Sequence, residues 1–191
     1  FQDITHLLSR VRPQGAVLEA AEISAFVPVL EMALEIAAQV SEFEGLKALP
    51  ELIVRLSGQP DLLQTIQKSI DADGHIKDSA SPALANIRRE LRRLETGIQK
   101  KLEEMTRNAS LAVFLQDDFI TKRAGRWVIP VRMDSKGMVP GVVHDISKSG
   151  ETAFIEPLAV IHFSNELENL SAEERAEELR ILRAISAGIR D

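Results

Sequence analysis

The side chains that could carry out chemistry gather around His144 and Asp145, with Glu151 and Glu156 close behind them. His, Asp and Glu are the usual ligands of a catalytic zinc ion. Because successive side chains of a strand point to opposite faces, His144 and Asp145 are expected to face apart. We therefore expect no metal site and no catalytic residue here, and interpret His144 as a surface imidazole and Asp145 as a turn carboxylate. A small hydrolase built on His144 is the alternative.

Motifs for covalent catalysis and for nucleotide binding are missing from the sequence. Ser147 and Ser149 lack the Gly-x-Ser-x-Gly turn that presents a nucleophile. A phosphate-cradling loop, Gly-x-x-x-x-Gly-Lys followed by Ser or Thr, does not occur, and neither does a dinucleotide-binding glycine pattern. The chain has no Cys, which excludes disulfides and thiolate metal sites. We expect this chain to bind no cofactor.

Basic residues in the second half of the chain suggest a different chemistry. Six of them lie in a β-rich segment: Lys122, Arg123, Arg126, Arg132, Lys136 and Lys148. Cations of this kind could contact the phosphates of a nucleic acid, whereas the alternative role is plain solubility. A further row lies in a helical pattern: Arg88, Arg89, Arg92 and Arg93. For this row we favour covering of apolar surface or pairing with acids of a neighbouring helix.

Helices are predicted to dominate the first part of the chain. Apolar residues recur every three or four positions over residues 23–40, which indicates one buried helical face. Pro28 predicts a kink there, or a junction of two helices near Val27. Shorter helices are predicted at 52–56 and 62–70, and a turn at 71–75.

A long helix is predicted to start at Ser81, with Ser81 as N-cap and Pro82 at the first helical position. Leu and Ile then recur in heptad-like steps to about residue 108, forming an apolar seam that needs a partner. A second seam runs from Leu167 to Ile189. We expect the two helices to pair antiparallel.

Between these helices, β-branched and aromatic residues predict three or four short strands. The segments are 119–123, 126–133, 139–146 and 152–155, and we expect them to form a meander. The predicted fold class is thus α+β and mainly α, with a helical core, two long antiparallel helices and a small antiparallel β-rich module.

Composition agrees with a globular protein. The 191 residues are 45% hydrophobic and 27% charged, and no apolar run approaches the roughly 20 residues of a membrane span. The net charge is −6, but residues 77–150 are basic and both ends are acidic. The chain lacks an initiator Met and stops at Asp191 inside a helical pattern, so we expect a piece of a longer, cytoplasmic protein.

Three motifs together resemble a known family. They read GRWVIPV at 125–131, VPGVVHDIS at 139–147 and SGETAFIEP at 149–157. The pattern resembles the second bacterial type of MutS protein, and it is continued by the helix from Ser81, by Leu115-Gln116-Asp117 and by Asn165-Glu166-Leu167. The resemblance covers about residues 77–180, whereas residues 1–76 match only in their helical character.

The resemblance implies the following division of the chain: a helical core at 1–76, an outgoing lever helix at 77–108, a clamp-like β-rich module at 109–157 and a returning helix at 158–191. It also implies a homodimeric parent protein with an ATPase domain, using ATP and Mg²⁺, and in many members a nuclease domain, all outside this chain. The implied partners are branched DNA or recombination intermediates, or ribosomal RNA. The implied roles of the parent are suppression of homologous recombination and rescue of collided ribosomes.

We therefore expect a non-catalytic core, lever and clamp section that contacts nucleic acid through the six cations of the β-rich segment and has no membrane partner. The alternative is a coiled-coil scaffold whose apolar seams bind another protein and which makes no nucleic-acid contact.

Overall fold

The computed structural model describes residues 3–41 and 59–191. Helices predominate, and four short strands form one small antiparallel sheet, which confirms the α+β, mainly α prediction. The chain divides into two compact units. The helical unit comprises Phe1–Asn86 and Glu174–Asp191, and the sheet unit comprises Ile87–Glu173.

The elements follow one another along the chain in a simple order. The helices are α1 Thr5–Val11, α2 Ala20–Ser24, α3 Val27–Ser41, α4 Pro60–Ser69, α5 Pro82–Thr106, α6 Ala109–Ala112 and α7 Leu158–Arg190. The strands are β1 Thr121–Arg123, β2 Arg126–Arg132, β3 Gly141–Ile146 and β4 Thr152–Pro157. Short 3₁₀ helices occupy Asp78–Ala80 and Met133–Met138. None of the helices described is both long and apolar enough to cross a membrane.

In the helical unit, the position of Pro28 confirms the predicted junction. Helix α2 ends at Ser24 and α3 begins at Val27, so the proline occupies the first turn of a new helix, where its missing N–H costs nothing. Helix α4 begins at Pro60 for the same reason. The helix predicted at 52–56 lies outside the described residues.

The predicted turn at 71–75 is confirmed, and it also packs against α2. Oδ1 of Asp71 accepts hydrogen bonds from the backbone N–H groups of Asp73 at 3.0 Å and His75 at 2.8 Å. Gly74 has a φ of 82°, and a Cβ there would lie 2.8 Å from Cα of Ala21. The turn therefore needs glycine both for its backbone conformation and for this close approach.

Ser81 caps α5 as predicted, since its Oγ accepts a hydrogen bond from the backbone N–H of Leu84 at 3.0 Å. Parts of both apolar seams are buried in the chain, whereas Leu179 of the second seam is 40% exposed. In the helical unit, Leu84 packs in one core cluster with Ile181 and Ile185. In the sheet unit, a second cluster combines α5, α7 and the sheet through Ile98, Leu102, Val160, Ile129 and Ile155.

The strand order is β1-β2-β4-β3, so the expected meander is wrong. Strands β3 and β4 pair directly because the turn between them is tight, with Gly150 at a φ of 76°. The chain leaves β2 through the 3₁₀ segment Met133–Met138, which carries it past the position of β4 to the sheet edge. Strand β4 thus becomes an inner strand, and its residues from Ala153 to Pro157 are buried.

Candidate nucleic-acid interface

The six basic residues predicted to contact phosphates all lie in the sheet unit, in two groups. The hairpin cations, on β1 and the start of β2, are Lys122, Arg123 and Arg126. The turn cations, on the end of β2, the following 3₁₀ segment and the β3–β4 turn, are Arg132, Lys136 and Lys148. Because Arg132 pairs with Thr152 in the antiparallel register, the end of β2 and the β3–β4 turn meet at one end of the sheet.

Lys122 is held by a carboxylate and an aromatic ring. Its Nζ lies 2.6 Å from Oε1 of Glu95 on α5 and 4.7 Å from the centre of the Trp127 ring. The hairpin that places it turns at Ala124 and Gly125, both with positive φ, the geometry that suits a two-residue connection. The charge of Lys122 is therefore balanced within the chain.

Arg123 is also engaged, and its partner reveals a local irregularity of β3. Its Nε lies 3.2 Å from Oδ2 of Asp145, and its guanidinium lies 4.3 Å from the centre of the Phe154 ring. The register of β3 on β4 shifts between Val143 and Asp145, which makes His144 an extra residue. This bulge breaks the strand alternation, so the expectation that His144 and Asp145 face apart fails.

A buried carboxylate, that of Glu156, connects His144 with Arg126. The side chain of Glu156 is only 3% exposed, and its Oε2 lies 2.7 Å from Nε2 of His144. Its Oε1 lies 3.6 Å from Nη1 of Arg126 and has no hydrogen-bond partner among the described residues. Nη1 and Nη2 of Arg126 donate in turn to Asn165 and Glu168 on α7, at 2.7 and 2.6 Å. His144 is thus not a free surface imidazole.

This arrangement explains what the hairpin cations do within the protein. A buried carboxylate is costly unless it is paired, and Arg126 supplies a permanent positive charge 3.6 Å away. Arg126 joins the start of β2 to α7 through Asn165 and Glu168, which lie 39 and 42 positions further along the chain. No local pattern in the sequence reveals these contacts. A phosphate contact by Lys122, Arg123 or Arg126 remains a prediction, and it would have to compete with these internal partners.

The turn cations present their charge differently. Arg132 is 48% exposed, and its Nε lies 3.3 Å from Oδ1 of Asp134. A hydrogen bond from the Ser135 hydroxyl, assisted by the Arg132 charge, lowers the pKa of the Asp134 carboxyl below its usual range. Lys136 and Lys148 are exposed, and no ion pair joins either of them to another residue in the described part of the chain.

An open cleft of about 620 Å³ lies beside these residues, lined by Gln116, Arg132, Met133, Asp134, Gly150 and Glu151. The adjacent turn uses its hydroxyls for its own structure, since Oγ of Ser147 accepts a hydrogen bond from the N–H of Thr152 at 3.1 Å. Oγ of Ser149 lies 3.2 Å from Oγ of Ser147. The serines therefore have a structural role, and the surface around them is polar with both signs of charge.

The arginine row of α5 is engaged within the protein, but the ion pair shown for Arg93 is with its own helix and not with the neighbouring helix that we favoured. Nη1 of Arg93 lies 3.2 Å from Oε1 of Glu90, one turn earlier on the same helix, with 79% of the arginine side chain exposed. The other three, Arg88, Arg89 and Arg92, also interact with residues of the chain.

One group of potential metal ligands lies on the 71–75 segment, which the sequence predicts only as a turn. Asp71, Asp73 and His75 bring one ligand atom each to within 4.8 Å of one another on the 71–75 turn. Asp71 already accepts two backbone N–H groups, which, together with the charge of His75, lower its pKa. The Asp-x-Asp-Gly-His spacing predicted a turn, and the Asp71 carboxylate stabilises that turn.

Similar proteins are known from several bacteria. The chain is 39% identical over 177 residues to "Endonuclease MutS2" of Pelotomaculum thermopropionicum, covering 92% of this chain and 22% of that protein. It is 39% identical over 173 residues to the protein of that name from Symbiobacterium thermophilum, covering 91% and 21%. For the Aquifex aeolicus protein of that name the identity is 35% over 192 residues, covering 100% and 25%. No protein-family model matches the chain.

These similarities extend through both units, including the first 76 residues, which contain none of the motifs that carry the resemblance. They define the chain as a section of a MutS-family protein. Within that family it belongs to the MutS2 type. The chain spans about a quarter of the length of the curated relatives that it matches.

Proposed function

We propose that this chain is the nucleic-acid-binding core, lever and clamp section of a MutS2-type protein and that it contributes no catalytic residue. The proposed partner is the phosphate backbone of DNA, in branched or recombination intermediates, or of ribosomal RNA. The observation that carries the proposal is a pair of exposed lysines, Lys136 and Lys148, neither of which forms an ion pair with a described residue. Lys148 lies on the β3–β4 turn, at the end of the sheet where Arg132 ends β2, and Lys136 lies on the 3₁₀ segment that follows Arg132. Exposed cations on a rigid β scaffold suit sequence-independent phosphate contacts.

Membership of the MutS2 type supports the wider setting of the proposal. The relatives are named endonucleases, and this chain corresponds to only part of their length. We propose that the parent is a cytoplasmic homodimer in which an ATPase domain, using ATP and Mg²⁺ outside this chain, controls binding. Suppression of homologous recombination and rescue of collided ribosomes are its proposed roles. This chain contains no phosphate loop of its own, so no step of nucleotide chemistry is assigned to its residues.

The coiled-coil scaffold is the weaker alternative. Its binding surfaces would be the two apolar seams; Leu179 of the second seam is 40% exposed, but Leu84, Ile98, Leu102 and Ile185 are each at most 3% exposed. Residues buried in this way offer no surface to another protein.

The test is a salt titration of binding to a fluorescein-labelled four-way DNA junction, followed by anisotropy. The chain should bind more weakly as NaCl rises from 50 to 200 mM, because bound cations displace condensed counterions. The K136E/K148E variant should bind at least about tenfold more weakly than the wild type and show a salt slope smaller by about 2. These two lysines are preferable to Lys122 and Arg126, whose replacement would also break internal ion pairs.

K68E is the matched control for that variant, because Lys68 is an exposed helical lysine of the helical unit. It should bind as the wild type does. Wild-type binding that does not change with salt, or an unaltered affinity of K136E/K148E, would contradict the proposal.

A further inference from the structure

The outward side of α5 within the sheet unit has an unusual composition. Ile98 and Leu102 turn one side of this helix into the core of the unit and are fully buried. Arg93, Gly97 and Lys100 follow at helical spacing on the exposed side, with Lys101 beside them.

Gly97 is the least expected residue of this surface. It lies in the middle of a 25-residue helix, where glycine weakens a helix more than any residue except proline. Apart from the adjoining backbone of its own helix, no atom of the described residues lies within 4 Å of the place where a Cβ would be, and its φ is not positive. Neither packing in the described structure nor backbone conformation therefore requires glycine at this position.

The lysines flanking Gly97 are available to a ligand. Lys100 and Lys101 are exposed, and neither forms an ion pair with any residue that the structure describes. The acids of the next turn are Glu103 and Glu104, and Glu103 already has a partner, since its Oε2 lies 3.7 Å from Nη2 of Arg107. On the other side of Gly97, Arg93 is 79% exposed, and the one carboxylate that it contacts among the described residues is that of Glu90.

We propose that this surface, the α5 saddle formed by Arg93, Gly97, Lys100 and Lys101, is a second contact for a nucleic-acid backbone. Arg93 and Lys100 lie about 10 Å apart along the helix axis, a distance that spans about three phosphates of one strand. The bare backbone at Gly97 lets the sugar-phosphate chain approach the helix between the two cations. A polyanion fits this pattern because three positive charges lie within three turns on one exposed side of the helix, flanked by Glu90, which pairs with Arg93, and by Glu104.

The inference rests on the proposed function but concerns a different surface from the turn cations. It is tested with the complete 191-residue chain, using a fluorescein-labelled 30-base-pair duplex and the four-way junction as probes. K100E/K101E should bind at least about tenfold more weakly than the wild type, with a salt slope smaller by about 2, since each lost phosphate contact removes about 0.9.

The second variant, G97L, leaves the charges unchanged. It should raise the unfolding temperature, because leucine favours a helix and its Cβ would meet no neighbouring element among the described residues, and should weaken binding about fivefold by blocking close approach. The matched controls are K68E for charge and A176L for bulk, the latter at an exposed alanine of α7. Both should bind as the wild type does.

The outcomes separate the two proposals. If K100E/K101E or G97L is folded by circular dichroism and binds as the wild type does, while K136E/K148E binds weakly, the α5 saddle is not a contact and the proposed function stands. If the wild-type chain binds neither probe at 50 mM NaCl, the proposed function fails and the saddle with it.

Discussion

Oε2 of Glu156 lies 2.7 Å from Nε2 of His144, and the carboxylate that makes this contact is 3% exposed. The same carboxylate faces Arg126 through its other oxygen, at 3.6 Å. One buried charge thus links three neighbouring strands, because His144 lies on the edge strand β3, Glu156 on β4 and Arg126 on β2. The bulge that makes His144 an extra residue is what allows β3 to take part.

Replacing Glu156 with Ala is expected to lower the free energy of unfolding by about 2–3 kcal/mol, because it leaves the partly buried Arg126 without its nearest β-sheet carboxylate and opens space beside His144. Glu156→Gln should cost less, since an amide oxygen can still accept a hydrogen bond. Urea unfolding followed by Trp127 fluorescence measures both. Equal free energies of unfolding for Glu156→Ala and the wild type would show that the carboxylate makes no net contribution to the stability of the fold.

Gly141 is expected to be essential for the pairing of β3 with β4. A Cβ at this position would lie 2.3 Å from the carbonyl oxygen of Glu156 and 2.6 Å from Cγ2 of Ile155. Gly141→Ala should therefore push the edge strand away and cost about 2–3 kcal/mol, within the range found for overpacked sites.

Gly137→Ala is the matched control for that change. Gly137 is exposed in the 3₁₀ segment, its φ is not positive, and nothing lies within 4 Å of its virtual Cβ. The control should unfold within about 0.5 kcal/mol of the wild type. If both variants unfold alike in urea, the short contacts at Gly141 are relieved without cost and the expectation is wrong.

Local signals in the sequence were enough to place the starts of α3 and α5, whereas they predicted neither α1 nor α6. Ser81 and Pro82 mark the start of α5, and Pro28 marks the start of α3, because caps and prolines act on the backbone of their own turn. The four strands were also placed to within a few residues from their β-branched and aromatic content.

The arrangement of the strands and of the site could not be predicted in this way. That β4 lies between β2 and β3 depends on which buried surfaces pair, and a bulge at His144 has no sequence marker of its own. The sequence showed Arg126 as a surface cation, whereas its partners Asn165 and Glu168 lie far away along the chain. Whether a cation is free or paired is decided by such distant contacts.

Glu177 is expected to make the helical unit sensitive to acid. Its carboxylate accepts two hydrogen bonds from Arg180, at 2.7 Å each, and one from the Ser81 hydroxyl at 2.6 Å, and these lower its pKa to about 2. Because the pKa in the folded state lies below the unfolded value, the charged form stabilises the protein above the unfolded pKa. That contribution is lost as the pH falls from about 5 towards 2.

Glu177→Gln should therefore cost on the order of 2 kcal/mol at pH 7, less than the full pKa difference implies because Arg180 is 64% exposed and its charge is screened. The difference in the free energy of unfolding between Glu177→Gln and the wild type should decrease steadily as the pH falls from 5 to 2. Urea unfolding of both proteins at several pH values measures it. Arg175→Gln, at an exposed position of α7, controls for the loss of a helix charge. The difference in the free energy of unfolding between this variant and the wild type should not decrease over the same pH range. If the difference in the free energy of unfolding between Glu177→Gln and the wild type stays constant down to pH 2, the carboxylate is not held in its charged form by Arg180 and Ser81.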